Sequence, residues 1–467
     1  MPEYLAPGVY VEEVSFRSKS IEGVPTSTTG FAGMTRFGPV QHPGGPTTTE
    51  PRLITSFTEF ERVYGGLEPL QVDGGERIPY TAHAARAFFL NGGQRLYVSR
   101  VFAPGATDGV ARLEFTVGTT PAAWRARWPG AMGNVWVRVQ VQRSGNVVQT
   151  LPGGAFEVKR VQTGTVVEVY GAGDALPKAN DPVTATALNI VTRAPDGTLT
   201  FTAADGSPTT VDASSIVQVV EVNVRVAVDA EREDFYPELS FHPDHKRFVG
   251  RILQRDDPAD ENAVVWLDWN PGALGNTPEQ RLTAALQLAA GLVEGRLADG
   301  SDGVLASAAD LMGMAADPDF ATVKATGLEA LGEVDDVAIV ATPDAATLAS
   351  DDEIALATSN LISHAELLRY RIAVVDGPPE SSMNDIRRFR GRFDSKYAAL
   401  YHPWIVTLDP LERAAQGAPP RKLLLPPSGF VCGIYARTDI ERGVHKAPAN
   451  ETVRGLTSFE ININKPR

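Results

Sequence analysis

Hydrophobic positions change their spacing twice along this chain, and each change marks a different kind of structure. Between residues 31 and about 102, short apolar runs alternate with apolar positions three and four apart. FAGMTRFGP reads as a strand and a turn. LITSFTEFERVYGG reads as a strand and a short helix around Phe57 to Val63, stopped by Gly65 and Gly66. IPYTAHAARAFFL reads as a helix with Ala82, Ala85 and Phe89 on one face. Asn91, Gly92 and Gly93 end it, and RLYVSRV follows as a buried strand.

From about 103 to 235 helical spacing nearly vanishes. Val135, Val137, Val139 and Val141 alternate with polar or aromatic residues, as a sheet with one buried face requires. GTVVEVYG, GTLTFTAADG and SIVQVVEVNVRVAV repeat the pattern between Gly, Asp and Pro breaks. Strands at this spacing predict a β-sandwich or barrel inserted into the first unit.

From about 236 the α/β pattern returns. Thr277, Pro278 and Gln280 form a capping box with proline at the first helical position, and Leu282, Ala285, Leu286, Ala289 and Val293 mark one face. VAIVATPD and RIAVVDGPP read as buried strands. Ser350 with Glu353 reads as a second capping box, ahead of Ile354, Leu361, Ala365 and Leu368. Ser382 with Asp385 starts a third helix carrying Ile386, Phe389 and Phe393, and YAALYHPWIVTLDP closes the series. Strand and helix in alternation predict right-handed crossovers and a largely parallel sheet covered on both faces. Beyond it, LLLPPSGFVCGIYARTDIERGVHKAPANETVRGL reads as short apolar runs broken at Pro-Pro-Ser-Gly and Ala-Pro-Ala-Asn, with an arginine-bearing loop.

The two ends have a different character. Residues 1 to about 30 read as an extended arm in which Gly8, Val9, Tyr10, Val11, Glu12, Glu13 and Val14 form its β-prone stretch. So short a segment cannot bury its apolar side chains alone. It joins a sheet edge, either in its own domain or in a neighbour. At the other end Phe459, Ile461 and Ile463 alternate with Glu460, Asn462 and Asn464, the pattern of a half-buried strand. The fold class expected is multi-domain α/β (α+β). Its parts are an arm (1–30), an α/β part (31–102), a β-rich insert (103–235) and an α/β core (236–467).

Composition narrows the function. The 467 residues allow about three domains. With 43% hydrophobic and 21% charged residues the chain is ordinary globular material. A net charge of −14 disfavours nucleic acid and anionic lipid as partners. The single cysteine, Cys432, excludes an internal disulfide, and its apolar setting GFVCGIY predicts a packed thiol. MPEYLAPGVYVEEV lacks the pattern of a signal peptide, and no apolar run is long enough to span a membrane. The expectation is a soluble protein made in the cytoplasm.

Candidate chemistry is sparse. Asp344 and Asp376 fall at the ends of predicted parallel strands, where α/β sheets bind ligands. No Gly-Lys pair or Gly-x-Gly-x-x-Gly accompanies them, and Asp376-Gly377-Pro378-Pro379 reads as a turn. His242 and His245 flank Asp244, but Pro243 prevents a helix from aligning them, so a polar turn is expected rather than a metal site. Asp299 to Gly303 has the look of a calcium loop without the glutamate an EF-hand needs, and reads as a loop. Neither His-Glu-x-x-His nor Gly-x-Ser-x-Gly occurs. No cofactor and no catalytic residue is expected. Arg387, Arg388, Arg390 and Arg392 gather on an otherwise acidic chain, either as a solvated helix face or as a docking face for an acidic partner.

Several segments, in order, resemble the contractile tail sheath family of phage tails and contractile injection systems. They are APGVYVEEV (6–14), LITSFTEFERVYGG (53–66), AARAFFLNGGQRLYVSRV (84–101), PGAMGNVWVRV (129–139), ADGSDGV (298–304) with GLEALGEVDDVAIVATPD (327–344), and the stretch from 397 to 467. The resemblance implies a structural subunit and not an enzyme. It implies copies stacked as hexameric rings around an inner tube, with baseplate and cap proteins as further partners. It implies terminal arms that add strands to neighbours, contraction that drives the tube through a membrane, and release of the particle from the cell. On that reading residues 8–14 are an inter-subunit arm, 459–463 a C-terminal strand, and Arg387 to Arg392 a tube-facing patch. Family members are expected to continue past the position of Arg467 through a Pro-Gly-Arg-Gly loop to a C-terminal arm. A shortened chain, a companion chain and a specialised paralogue are the three readings of that difference. Two other classes stand beside the sheath: an α/β enzyme, and a carbohydrate-binding or adhesin role for residues 105–235.

Overall fold

The computed structural model describes residues 25–178, 181–412 and 420–462. Its centre is one six-stranded sheet built from two distant parts of the chain. Thr29–Met34 pairs in parallel with Leu96–Val101 on one side and with Ile339–Ala341 on the other. Ile372–Asp376 and Ala398–Tyr401 extend the parallel order, and Arg52–Ile54 closes the far edge antiparallel. The two α/β stretches read separately from the sequence therefore share a sheet.

Alternation along these strands fills a helical layer on each face. Phe31, Ile339, Ala341 and Val374 point into one layer, against Phe60 and Tyr64 of the Phe57–Tyr64 helix, Ala85 and Phe88 of Tyr80–Leu90, and Cys432 and Ala436 of Ser428–Arg442. Ala32, Val340, Ala373 and Val375 point into the other, against Leu311, Leu328, Leu331, Leu361, Ala365 and Phe389.

Three local expectations are corrected. The Tyr80–Leu90 helix is buried nearly all round, and Phe88 rather than Phe89 is fully enclosed, because a second helix packs across it. That second helix, Ser428–Arg442, occupies the stretch expected to be broken runs and a loop. Its glycines weaken helix propensity, and tertiary packing decides. A Cβ on Gly429 would lie 2.5 Å from Ala84 Cα, and one on Gly433 2.5 Å from the Phe88 carbonyl oxygen. Four residues apart, the two glycines share one face and let the backbones touch. Ser350 caps the Asp351–Leu368 helix, but Glu353 does not complete the box. Its carboxylate instead accepts the Ala308 amide at 2.7 Å, tying two helices together.

The β-rich part contains an eight-stranded sheet with the twelve-residue strand Ile216–Ala227 as its spine, and a three-stranded sheet of Arg112–Val117, Thr120–Ala126 and Val265–Asp268. Val137, Val222, Val224 and Val226 meet Trp124, Val265 and Leu267 in one core. The Pro278–Gly291 helix packs Ala285 and Leu288 into this same core. The sequence placed that helix with the returning α/β series. Periodicity gave its apolar face but not its destination.

The chain enters and leaves the β-rich part side by side. Ala103 bridges Val304, and Arg112 bridges Ala298, both antiparallel. Asp302, 4% exposed, accepts the Gln71 amide and the Ala131 amide, each at 2.8 Å, so one carboxylate fastens both parts. The loop that resembled a calcium site is a structural clasp. Asp302→Ala is expected to cost about 2 kcal/mol, because two amides lose a charged acceptor. A shift of the urea midpoint checks this; an unchanged midpoint would sink it.

Candidate assembly surfaces

Both strand-end aspartates are committed to the fold. Gly33 leaves the space in which Asp344 sits: a Cβ there would fall 2.3 Å from its carboxylate. Asp344 accepts the Met34 amide and the Thr81 hydroxyl, each at 2.7 Å. Asp376 accepts the Ser428 amide at 2.7 Å, at the start of the Ser428–Arg442 helix, where the helix dipole favours an anion. Burial pushes the Asp344 carboxyl up to about 6 and that of Asp376 up to about 7, against the pull of these hydrogen bonds. The positions where an α/β sheet would meet a ligand are filled by helix ends.

The other chemical candidates are also absorbed. His242 is buried, its Nδ1 accepting the Asp244 amide at 3.1 Å, and His245 faces Gln162 at 2.6 Å. Among the described residues, no group of three or more His, Cys, Asp or Glu is placed to hold a metal ion, and no helix is long and apolar enough to cross a membrane. A cleft of about 750 Å³ lies between the Phe57–Tyr64 helix and the turn after Ile216–Ala227. Among its charged walls Arg36 pairs with Glu68, Arg62 with Asp260, and Arg232 with Asp234. Cys432 is buried, which raises its thiol well above the usual range.

What the C-terminal part offers is edges and faces. Ile405–Leu408 is the middle of a small sheet, paired antiparallel with Lys422–Leu425 on one side and Ser458–Phe459 on the other. Among the described residues both outer strands are edges, and the Lys422–Leu425 edge carries three consecutive leucines. Leu423 and Leu425 are buried, so what such an edge offers a further strand is its backbone. Beside the sheet runs a groove of about 220 Å³ lined by Tyr401, Phe430, Ile434, Tyr435 and Phe459. That is smaller than the ~300–1,000 Å³ of small-molecule sites, and suits side chains of a peptide.

Phe459 is 48% exposed, and only residues 458 and 459 are strand. The expected inward alternation is thus not seen at this position. Glu460 turns inward instead: its carboxylate accepts the Trp404 amide at 3.3 Å and also the Glu380 amide. Ile461 is half-buried and Asn462 exposed. Ile463, like the arm residues Gly8, Val9, Tyr10, Val11, Glu12, Glu13 and Val14, lies outside the described residues.

The arginines form a real face. The Met383–Arg390 helix buries Ile386 and Phe389, and leaves Arg387, Arg388 and Arg390 in solvent, with Arg392 exposed just beyond. Arg388 pairs with Asp385 at 3.2 Å. Arg387, Arg390 and Arg392 make no ion pair with described residues.

The raised carboxyl of Asp376 has a readable consequence. The folded protein holds this proton to about pH 7, whereas the unfolded chain releases it near pH 4. Stability at this position therefore falls as pH rises from about 4 to 7. Asp376→Asn removes that loss, so its stability relative to the unsubstituted protein is expected to grow across the window and then level off. Urea midpoints of the two proteins from pH 4.5 to 8 check it; a difference independent of pH would refute the assignment.

Residues 308–466 match the family model described as phage tail sheath protein central domain. The match starts just after the Asp302 clasp and takes in half of the six-stranded sheet, the arginine helix and the small C-terminal sheet. Among solved structures, the contracted helical sheath of the anti-feeding prophage overlaps 98% of this chain and 60% of its own, at 13% identity and a TM-score of 0.36. The chain thus spans about 60% of the length of that sheath chain. The contracted sheath complex of PVC, an extracellular contractile injection system, overlaps 30% of this chain and 36% of its own, at 24% identity and a TM-score of 0.22. The baseplate of the anti-feeding prophage overlaps 30% and 32%, at 22% identity and a TM-score of 0.22. No curated protein matches the chain. Over residues 308–466 the chain is thus similar to the central domain of phage tail sheath proteins.

Proposed function

We propose that this chain is the structural sheath subunit of a contractile injection system or phage tail, polymerising as stacked hexameric rings around an inner tube. The observation that carries the reading is the sheath match over 308–466, on a unit whose small C-terminal sheet has two edge strands without a further partner among the described residues. A strand edge is a template for backbone hydrogen bonds that a neighbour's segment can complete. The stretch from Gly8 to Val14 has the composition of such a segment, and so has 459–463. Contraction then repacks the globular parts while the exchanged strands hold the copies together.

The arginine helix offers the tube a contact of opposite sign. Arg387 and Arg390 on it, and Arg392 just beyond, make no ion pair with described residues, and guanidinium binds carboxylates in a two-point geometry. Baseplate and cap proteins would bind the two ends of the stack, with assembly in the cytoplasm and release of the finished particle.

Negative-stain electron microscopy of this chain, co-expressed with the tube protein, is expected to show striated hollow cylinders. Dispersed particles under all conditions would overturn the proposal. Val9→Asp with Val11→Asp is expected to leave a folded monomer, by circular dichroism, that no longer forms cylinders. Arg387→Glu with Arg390→Glu is expected to uncouple sheath from tube while sheath–sheath association persists; cosedimentation with tube that is unchanged would remove the basic patch from the reading.

A further inference from the structure

The eight-stranded sheet turns one face to the large core; at one end Val167, Val191 and Val217 bury the other face in a second core, but around Trp136–Arg143 that other face meets solvent and is not ordinary surface. On Trp136–Arg143 the valines point inward, while Trp136 and Arg138 point out. Trp136 is 48% exposed and stands opposite Ala227 on one neighbour and Arg296 on the other. Arg138 stands opposite Arg225, which in turn stands opposite Phe235. The Arg225 guanidinium lies 4.2 Å from the centre of the Phe235 ring and pairs with Glu233 at 3.0 Å. Phe235 is 45% exposed. The Arg138 side chain makes no ion pair or hydrogen bond with described residues.

Two like charges directly opposite each other destabilise a sheet. On a chain of net charge −14, Arg138 and Arg296 beside the Arg225–Glu233 pair and two exposed aromatic rings leave positive charge that suits an acidic counterpart. Aromatic residues and arginine are also the side chains that dominate protein contacts.

The same chain carries a segment of matching chemistry. The loop 313–323 bears Met314, 64% exposed, and Phe320, 63% exposed, together with Asp317 and Asp319. It is closed on itself: the Thr326 amide donates to the Met314 carbonyl at 2.9 Å, and the Asp317 amide to the Val323 carbonyl at 3.2 Å. Neither aspartate has an ion-pair partner among the described residues. The loop is thus preshaped, and docking it costs little ordering.

We infer that the Met314–Phe320 loop of one copy docks on the Trp136–Arg138–Arg225–Phe235 face of a second copy. Asp317 and Asp319 meet the arginines, and Met314 and Phe320 cover the rings. Because loop and face are different patches, the contact is head-to-tail and repeats from copy to copy, the kind that builds rings or helices rather than closed dimers. The inference rests on the self-assembly proposed above, but it names a contact that the terminal arms do not make.

Charge reversal tests it on the full chain. Arg138→Glu alone, and Asp317→Lys with Asp319→Lys alone, are each expected to raise the concentration needed for assembly about tenfold, because like charges then face each other. The three changes together are expected to restore assembly. A second test uses Arg138→Cys mixed with Phe320→Cys. The native Cys432 is fully buried, so a disulfide-linked pair under mild oxidation reports the contact itself. Cylinders that form equally well with Arg138→Glu, and yield no linked pair, would overturn the contact while leaving the sheath reading intact. A wild-type chain that stays monomeric at every concentration would overturn both. Retention of the unassembled chain on an immobilised polyuronate, lost in Arg138→Glu without change in assembly, would give the face to an acidic glycan and overturn the contact too.

Discussion

Everything in this molecule hangs on the placement of the Thr29–Met34 strand. It is hydrogen-bonded on one side to a strand some seventy residues later in the chain, and on the other to one about three hundred residues later. The sheet cannot close until the chain has made its long excursion and returned. Burial on both faces makes this pairing strict. A slip of one residue would exchange Phe31 for Ala32 and put the wrong volume into each helical layer. Gly33 shows the same strictness, because only a residue without Cβ leaves room for the Asp344 and Thr81 cluster beside it.

Much of the local structure was legible in the sequence, for reasons that are themselves local. The Thr277–Gln280 and Ser382–Asp385 boxes cap their helices as their spacing requires. The valine alternation from Val135 onward forms the strand it predicts. What was not legible depends on partners distant in the chain. The Ser428–Arg442 helix hides behind two glycines whose purpose is visible only once Ala84 and Phe88 lie against them. Glu353 had the spacing of a capping residue but found a better donor in Ala308. The Pro278–Gly291 helix announced an apolar face, and nothing nearby said which core it would fill.

The surfaces divide along the same line. Arginine spacing around Ile386 and Phe389 is a helical pattern, so the exposed basic face could be read directly. The edges of the small C-terminal sheet could not, since an edge is defined by the absence of a neighbour. The outer face of the eight-stranded sheet needed register: only cross-strand pairing brings Arg138, Arg225 and Phe235 into one row. The buried aspartates lie at the opposite extreme. Their sequence setting suggested chemistry, and the structure spends them on holding helix ends.

The paired crossings at Ala103–Val304 and Arg112–Ala298 give the β-rich part a mechanical character. A single linker is a thread about which a lobe can swivel freely. Two hydrogen-bonded strands side by side form a ribbon, which flexes about one axis and resists torsion about its length. With Asp302 riveting the ribbon to the 70s loop and to the 131 turn, the crossing is braced on both sides.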